Sequence, residues 1–318
     1  MKTSNKLVSV ILPTYNGAIR GNGEYLRQAL ESVLNQSHEN FELIIINDGS
    51  TDNTENLIKS YRDKRIIYLK NESNKGLGAT RNRGLRIVKG DYICFLDDDD
   101  LYYENRINTQ LNKMLEDNSD VSICGVDIID EKGKIIRSSI KKNFIVPILD
   151  ICLINIHIYP SSLMISRNLF NRIGYFKEYI CGVEDYDYII RIALNYNIYY
   201  QGNALFAYRL HSQNMTKNLE QMFFNKLFNA YEVKKDIIKY FVKPEHYYFY
   251  VLKTVYNVNN LREFRKYYKI VSPLGKAPLE WKIKYILSYF PFITKLIVKY
   301  KLKDKFYRII QKKHILTT

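Results

Sequence analysis

Five short apolar runs, rich in β-branched residues, constrain the fold of this chain more than any other feature. They cover residues 8–12, 43–46, 66–69, 92–96 and 121–126. Runs of this length and composition are typical of buried strands. Between the first two, apolar residues recur at helical spacing, and residues 77–88 can form a further helix. The alternation predicts an α/β fold with a mostly parallel sheet flanked by helices, with a mixed pattern from residue 128 onward.

Polar side chains follow three of these runs, where a parallel sheet binds its ligands. They are Pro13, Thr14, Tyr15 and Asn16 after the first run, Asn47, Asp48, Gly49 and Ser50 after the second, and Asp97, Asp98, Asp99 and Asp100 after the fourth. We therefore expect a ligand site at this edge. The second group permits two interpretations, since Ser50, Thr51 or Asp52 can cap a helix and Asp48 can accept a hydrogen bond from a nucleotide base.

Three explanations compete for the four consecutive aspartates. A helix beginning directly after them would place acids at its positive end, with Asp100 as the cap, but such an end stabilises only one or two charges. A calcium loop of the EF-hand type fails, because Tyr102 and Asn108 occupy the positions that need Gly and Glu. A divalent cation shared with a diphosphate fits best, since Mg²⁺ or Mn²⁺ binds one or two carboxylates together with phosphate oxygens.

Three further acidic or basic segments contain candidate functional residues. The stretch "NKGLGATRNRGL" opens a helix and offers Arg81 to a phosphate, while its glycine spacing argues against a dinucleotide fingerprint. In "CGVEDYDYIIRIALNYN", Glu184 and Asp185 either cap a helix or supply a general base. Arg209 and His211 alternate in "YRLHSQNMT" and are candidate phosphate contacts or structural residues.

Charge and hydropathy narrow the class of protein. The formal charge is +15, of which +9 lies in residues 276–318, a basic and aromatic stretch that suits an anionic membrane surface or a solvated helical cap. No run reaches the roughly 18 apolar residues of a membrane span. The four cysteines lack metal-ligand spacing and are expected to be reduced core thiols of a cytosolic protein.

Taken in order, five segments resemble the inverting nucleotide-sugar glycosyltransferases of family 2. These are "VSVILPTYNG", "EYLRQALESVLNQSHENFELIIINDGSTDNT", "NKGLGATRNRGL", "GDYICFLDDDDLYYENR" and "GVEDYDYIIRI". The resemblance implies a GT-A catalytic domain over residues 1–215, with a nucleotide half to about residue 100 and an acceptor half after it. A basic helical region would follow over 216–318. The chain lacks the Q-x-x-R-W sequence of processive synthases, which implies non-processive transfer.

The same resemblance implies a role for each candidate residue. Pro13, Thr14, Tyr15 and Asn16 would line the nucleoside pocket, Asp48 would bond the base, and Arg81 would face the base or diphosphate. Asp97 and Asp99 match the D-x-D metal motif, with Asp98 assisting nucleotide binding. Asp185 matches the catalytic base. Glu184, Arg209 and His211 would lie near the diphosphate or acceptor. The cofactor would be Mg²⁺ or Mn²⁺, and Asp185 would accept the hydroxyl proton while the sugar inverts.

The expected partners are a UDP-sugar donor and a glycan or lipid-linked acceptor of a bacterial surface polymer, with no nucleic acid. The location would be cytoplasmic, at the inner face of the plasma membrane if the tail binds lipid. One departure from the family lies in "GAIRGNG", which is longer than the usual link and makes Arg20 either a donor contact or a solvated loop residue. The alternatives are a sugar-phosphate nucleotidyltransferase, whose glycine-rich loop is missing after the first strand, and a non-enzymatic basic membrane-binding protein.

Overall fold

A ten-stranded sheet forms the centre of the computed structural model, which describes residues 5–152, 156–180 and 182–214. The strands are β1 (Val8–Thr14), β2 (Phe41–Asn47), β3 (Ile66–Lys70), β4 (Tyr92–Phe95), β5 (Leu101–Tyr102), β6 (Val121–Ile129), β7 (Ile135–Ser139), β8 (Phe144–Ile145), β9 (Met164–Ser166) and β10 (Tyr199–Arg209). The helices are α1 (Glu24–Leu34), α2 (Thr54–Lys59), α3 (Leu77–Leu85), α4 (Arg106–Glu116), α5 (Ile148–Cys152), α6 (Arg167–Ile173) and α7 (Glu184–Ala193).

The first half of the sheet is parallel and runs in the order β3-β2-β1-β4. Every residue of β1 and β2 is buried, because helices cover both faces of these strands. Val10 and Leu12 pack into the main core with residues of α1, α2 and α4. On the other face α3 approaches so closely that a Cβ on Gly84 would come within 2.9 Å of Ile11 and Ile46. Only glycine permits this approach.

The second half of the sheet is mixed, as the sequence pattern predicts. Strand β9 is antiparallel to both β4 and β6, so it joins the two halves into one sheet. Strands β6 and β10 are parallel, while β5 and β8 add to β10 and β7 adds to β6 in the antiparallel sense. Because β5 pairs with the end of β10, the aspartate run lies between the ends of β4 and β10.

The predicted helix directly after the aspartates is wrong. Residues 101–102 form β5, and α4 begins only at Arg106, with Asn105 at its N-cap position. Tyr102 is buried, and the Arg106 guanidinium lies 3.9 Å from the centre of its ring. These tertiary contacts outweigh the local helix preference. Asp100 is therefore not a helix cap, and the helix-dipole explanation of the aspartate run fails.

Other boundaries differ by a few residues. Strand β1 continues through Pro13 and Thr14, which pair with Ile46 and Asn47 of β2. Cys94 and Cys124 are buried free thiols, as expected. No helix among the described residues has the length and apolarity needed to cross a bilayer. The predicted basic helical region, residues 216–318, lies outside the described residues, and its boundary stays a prediction.

Candidate active site

The loops that follow β1 and β2 are bound to each other at the carboxyl edge of the sheet. Asn16 N donates to Ser50 Oγ at 2.9 Å, and Thr51 N donates to Asn16 Oδ1 at 2.9 Å. Ala18 N donates to Thr54 Oγ1 at 3.0 Å. Asn16 has a left-handed backbone, with φ of 50°, which Asn tolerates better than most residues. This edge is thus a fixed platform beside the aspartate run.

Asp97 and Asp98 each have a cationic partner. Arg81 Nη2 donates to Asp97 Oδ1 at 2.7 Å. Asp98 Oδ2 accepts from Thr14 Oγ1 at 2.5 Å and from Arg20 Nη2 in a very short ion pair. Burial raises the pKa of Asp98 to about 6, although Arg20 opposes the shift. These side chains therefore offset part of the electrostatic repulsion among the four aspartates.

Asp99 and Asp100 point toward β10. Asp99 Oδ2 lies 2.8 Å from Nε2 of His211. Asp100 is buried, accepts from Ser161 Oγ at 2.6 Å and from Arg209 N at 3.2 Å, and therefore ties the run to β10. Burial and the neighbouring Asp99 raise the pKa of Asp100 well above its ordinary value. Asp100 is a structural member of the run.

Arg81, in α3, pairs with one carboxylate of the aspartate run and with one of α7. Its Nη1 donates to Glu184 Oε1 at 2.9 Å, while Nη2 holds Asp97, and the side chain is only 1% exposed. The N-terminal ends of α3 and α7 are close, since a Cβ on Gly78 would lie 3.5 Å from Glu184. Burial, followed by the charge of Asp185, raises the pKa of Glu184 to about 7. Arg81 is therefore a bridge between the aspartate run and α7.

Asp185 lies next to this bridge, in the first turn of α7. Its Oδ1 accepts from the backbone N–H of Tyr186 at 2.7 Å, and within the described residues no hydrogen bond reaches its Oδ2. Desolvation raises the pKa of Asp185, while Arg81 and the Tyr186 amide oppose the shift. A partly exposed carboxylate with a raised pKa and an open oxygen can accept a proton from a hydroxyl.

Arg209 is turned into the protein. Its Nη2 donates to Gln28 Oε1 at 2.6 Å, its Nε donates to the Asp99 carbonyl at 3.1 Å, and its guanidinium lies 4.6 Å from the centre of the Tyr25 ring. Its Nη1 reaches the carbonyl of Glu131 at 3.3 Å. These contacts bind the backbone of the aspartate run to β10. Direct contact of Arg209 with a diphosphate would require breaking them, so the geometry favours a positioning role.

Asp48 supports the loop between β3 and α3. Its carboxylate accepts from Asn71 Nδ2 at 2.7 Å, Lys75 N at 2.9 Å and Gly76 N at 3.0 Å. These bonds shape the turn that opens α3 and so position Arg81. The base contact of Asp48 stays a prediction. Tyr15, with 43% of its surface exposed, lies at the rim of the same edge.

Sequence reasoning undervalued Arg20. The interpretation of a solvated loop residue is not supported, since its guanidinium contacts Asp98, lies 3.8 Å from Asp99 Oδ2 and donates to the Tyr15 carbonyl at 3.2 Å. The available signal was an arginine within a loop of unusual length beside a strand that ends in the ligand edge. Spacing alone could not show which way it points.

Asp97 and Asp99 are the predicted ligands of a divalent cation, and His211 lies beside Asp99. Asp97 Oδ2 and Asp99 Oδ1 have no hydrogen bond within the described part of the chain, and their side chains are 28% and 14% exposed. In the same ranges no three or more His, Cys, Asp or Glu side chains form a group that could hold a metal ion. An open set of carboxylates fits Mg²⁺ or Mn²⁺, which take their remaining ligands from phosphate and water.

Comparison with known proteins identifies the family of this chain. The model of glycosyl transferase family 2 matches residues 9–174, just over half of the chain, and ends before Glu184. A glycosyltransferase of Rickettsia typhi is 37% identical over 226 residues, which cover 67% of each protein. One from Methanocaldococcus jannaschii is 33% identical over 243 residues, covering 72% of this chain and 78% of the relative.

A glycosyltransferase of Rickettsia felis is 40% identical over 222 residues, which cover 67% of this chain. The match spans only 36% of that longer relative.

Two solved structures share the fold. Staphylococcus aureus TarS 1–349 in complex with UDP-GlcNAc superposes with a TM-score of 0.60 at 21% identity, over 88% of this chain and 79% of TarS 1–349. The mannosyltransferase PcManGT from Pyrobaculum calidifontis, with GDP-Man and Mn²⁺, gives 0.61 at 13% identity, over 93% and 81%. The predicted GT-A fold is confirmed. By the family model and its relatives, this chain is a glycosyltransferase and belongs to glycosyl transferase family 2.

Proposed function

We propose that this glycosyltransferase moves a sugar from a UDP-sugar to a hydroxyl group, with inversion at the anomeric carbon. The observation that carries the proposal is the bridge from Asp97 through Arg81 to Glu184, beside Asp185. It connects a phosphate-binding edge to a carboxylate with an open oxygen. The family assignment favours this reading over a nucleotidyltransferase or a non-enzymatic membrane-binding protein.

The donor is assigned by chemistry and by likeness. A diphosphate suits the combination of aspartates and a divalent cation, and the two structural relatives were solved with UDP-GlcNAc and with GDP-Man and Mn²⁺. UDP is preferred over GDP because the TarS complexes contain UDP or UDP-GlcNAc and share more sequence with this chain. Tyr15 and the platform around Asn16 would contact the nucleoside, and Asp48 would bond the base.

In the mechanism that we propose, Asp185 accepts the proton of the acceptor hydroxyl. The hydroxyl oxygen bonds to the anomeric carbon from the face opposite the diphosphate, and the bond from that carbon to the diphosphate oxygen breaks with its electron pair. Asp97 and Asp99, with His211 beside Asp99, would hold Mg²⁺ or Mn²⁺, which as a Lewis acid would stabilise the charge on the departing UDP. Arg81 and Arg209 hold the aspartate run and α7 in position.

The acceptor would be a glycan or a lipid-linked glycan of a bacterial surface polymer, met at the inner face of the plasma membrane. The support is the basic, aromatic sequence of residues 276–318, in which each lysine can add about 1 kcal/mol near anionic lipid. Sedimentation with anionic vesicles tests this point. If equal amounts of the protein sediment with neutral and with anionic vesicles, the proposed membrane location is contradicted.

A screen of nucleotide sugars tests the central activity. The full chain is incubated with Mn²⁺ and each UDP-sugar, and release of UDP is measured, together with thermal stabilisation by UDP. We expect UDP to raise the unfolding temperature only when Mg²⁺ or Mn²⁺ is present. The product linkage, read by NMR, should be β when the donor is α-linked. If no nucleoside diphosphate raises the unfolding temperature, the proposal is contradicted.

A further inference from the structure

Arg20 is the cation closest to the middle of the aspartate run. Its Nη2 contacts Asp98 and its Nη1 lies 3.8 Å from Asp99 Oδ2. Only 20% of its side chain is exposed. Arg81, the partner of Asp97, belongs to α3, whereas Arg20 begins a short 3-10 helix, Arg20–Gly23, in the link between β1 and α1.

This link holds Arg20 in a defined position. Ala18 N donates to Thr54 Oγ1 and Ile19 N donates to Asp52 Oδ2, each at 3.0 Å. Arg20 itself donates to the carbonyl of Tyr15 at 3.2 Å. Because the backbone is anchored directly before Arg20 and one guanidinium nitrogen is bound to a carbonyl, the guanidinium cannot move far from the carboxylates without losing several contacts at once.

A fixed guanidinium beside Asp99 disfavours a second cation there. The charge of Arg20 repels a divalent ion at the same carboxylate, and a partly buried pair is screened less than an exposed one. A bound nucleotide diphosphate would offset this repulsion, because its negative charges attract both the Arg20 guanidinium and the divalent ion. Arg20 need not leave Asp98 for this to happen.

We propose that Arg20 is a positioning residue that makes metal binding depend on the nucleotide diphosphate. This inference rests on the proposed function. Without nucleotide, Arg20 neutralises Asp98 and weakens binding of a divalent cation at Asp99. With nucleotide bound, the negative charge of the diphosphate would offset the repulsion between the guanidinium and the divalent cation. By linkage, the metal strengthens UDP binding by the same factor by which UDP strengthens metal binding.

The test is a titration of the full chain with Mn²⁺, with and without UDP. The EPR signal of free Mn²⁺ measures how much of the ion is bound. Arg20→Gln should bind Mn²⁺ on the order of tenfold more tightly without UDP, and the gain in Mn²⁺ affinity on adding UDP should shrink by a similar factor. Arg20→Lys keeps the charge and should restore most of the coupling. Arg62→Gln removes a charge from an exposed position and should match the wild type.

A purely structural role for Arg20 would give a different result. Arg20→Gln would then bind Mn²⁺ as the wild type does, or more weakly, and either outcome would overturn the inference. Arg20→Met is measured in parallel, so that poor folding of one variant leaves the other. If the wild type binds UDP and Mn²⁺ but the variants show no change in coupling, only this inference fails. If the wild type binds neither, the proposed function fails with it.

Discussion

His211 Nε2 lies 2.8 Å from Asp99 Oδ2, although the two residues are 112 positions apart in the chain. The contact closes the site between the ends of β4 and β10, and the His211 ring also packs against Tyr25, with 5.2 Å between ring centres. A carboxylate and an imidazole at this distance can share a divalent cation. They can also bind each other when no cation is present.

His211→Ala should therefore weaken Mn²⁺ binding in the presence of UDP by about 10- to 100-fold, the loss typical of removing one group from a metal's surroundings. The measurement is an Mn²⁺ titration at saturating UDP. The exposed His157 provides the control, and His157→Ala should bind Mn²⁺ normally. Unchanged affinity in His211→Ala would mean that the imidazole only orients Asp99.

Asp185→Asn should retain UDP binding and lose transfer by about 10²- to 10⁴-fold, because an amide cannot accept the hydroxyl proton. Binding is measured by thermal shift with UDP and Mn²⁺, and transfer by UDP release in the presence of acceptor. Asp117→Asn, at the end of α4, serves as the matched control. Near-normal transfer by Asp185→Asn would refute its role as the base.

Arg81→Met should destabilise the domain by about 3 to 5 kcal/mol, because it leaves the buried carboxylate of Glu184 without its cation. The free energy of unfolding is measured in urea. Arg86→Met breaks the exposed pair with Glu178 and should cost about 1 kcal/mol or less. Similar losses in the two variants would show that the Arg81 bridge adds little to stability.

The raised pKa of Glu184 predicts a pH-dependent effect on stability. Its pKa is about 7 in the folded protein against an ordinary 4.5, so the folded state binds this proton more tightly than the unfolded chain. The resulting stabilisation is fully present below pH 4.5 and is lost as the pH rises through 7.

Glu184→Gln has no such proton to lose. Its free energy of unfolding relative to the wild type should therefore increase between pH 5 and pH 8, by up to about 3 kcal/mol. Urea unfolding at several pH values measures the difference. A constant difference across this range would indicate that Glu184 stays ionised beside Arg81.

Local sequence accounts for much of the fold. The apolar runs that became β1, β2, β4 and β6 are buried on both faces and β3 is half-buried, and the positions of these strands and of the helices between them follow from composition and period. The order of the polar residues after these strands likewise predicted that Asp48 and the aspartate run lie at the same edge of the sheet. Boundaries were less certain, because strand ends such as Thr14 depend on a pairing partner.

The sequence by itself determined which residue types reach the ligand edge, since strand periodicity and parallel order deliver them there. Tertiary structure decided their partners. Residues 101–102 form β5 because they pair with β10, Arg209 binds the Asp99 carbonyl inside the protein, and Arg20 binds Asp98. The physical reason is that charge pairing depends on distances between residues far apart in the chain, and no local pattern encodes those distances.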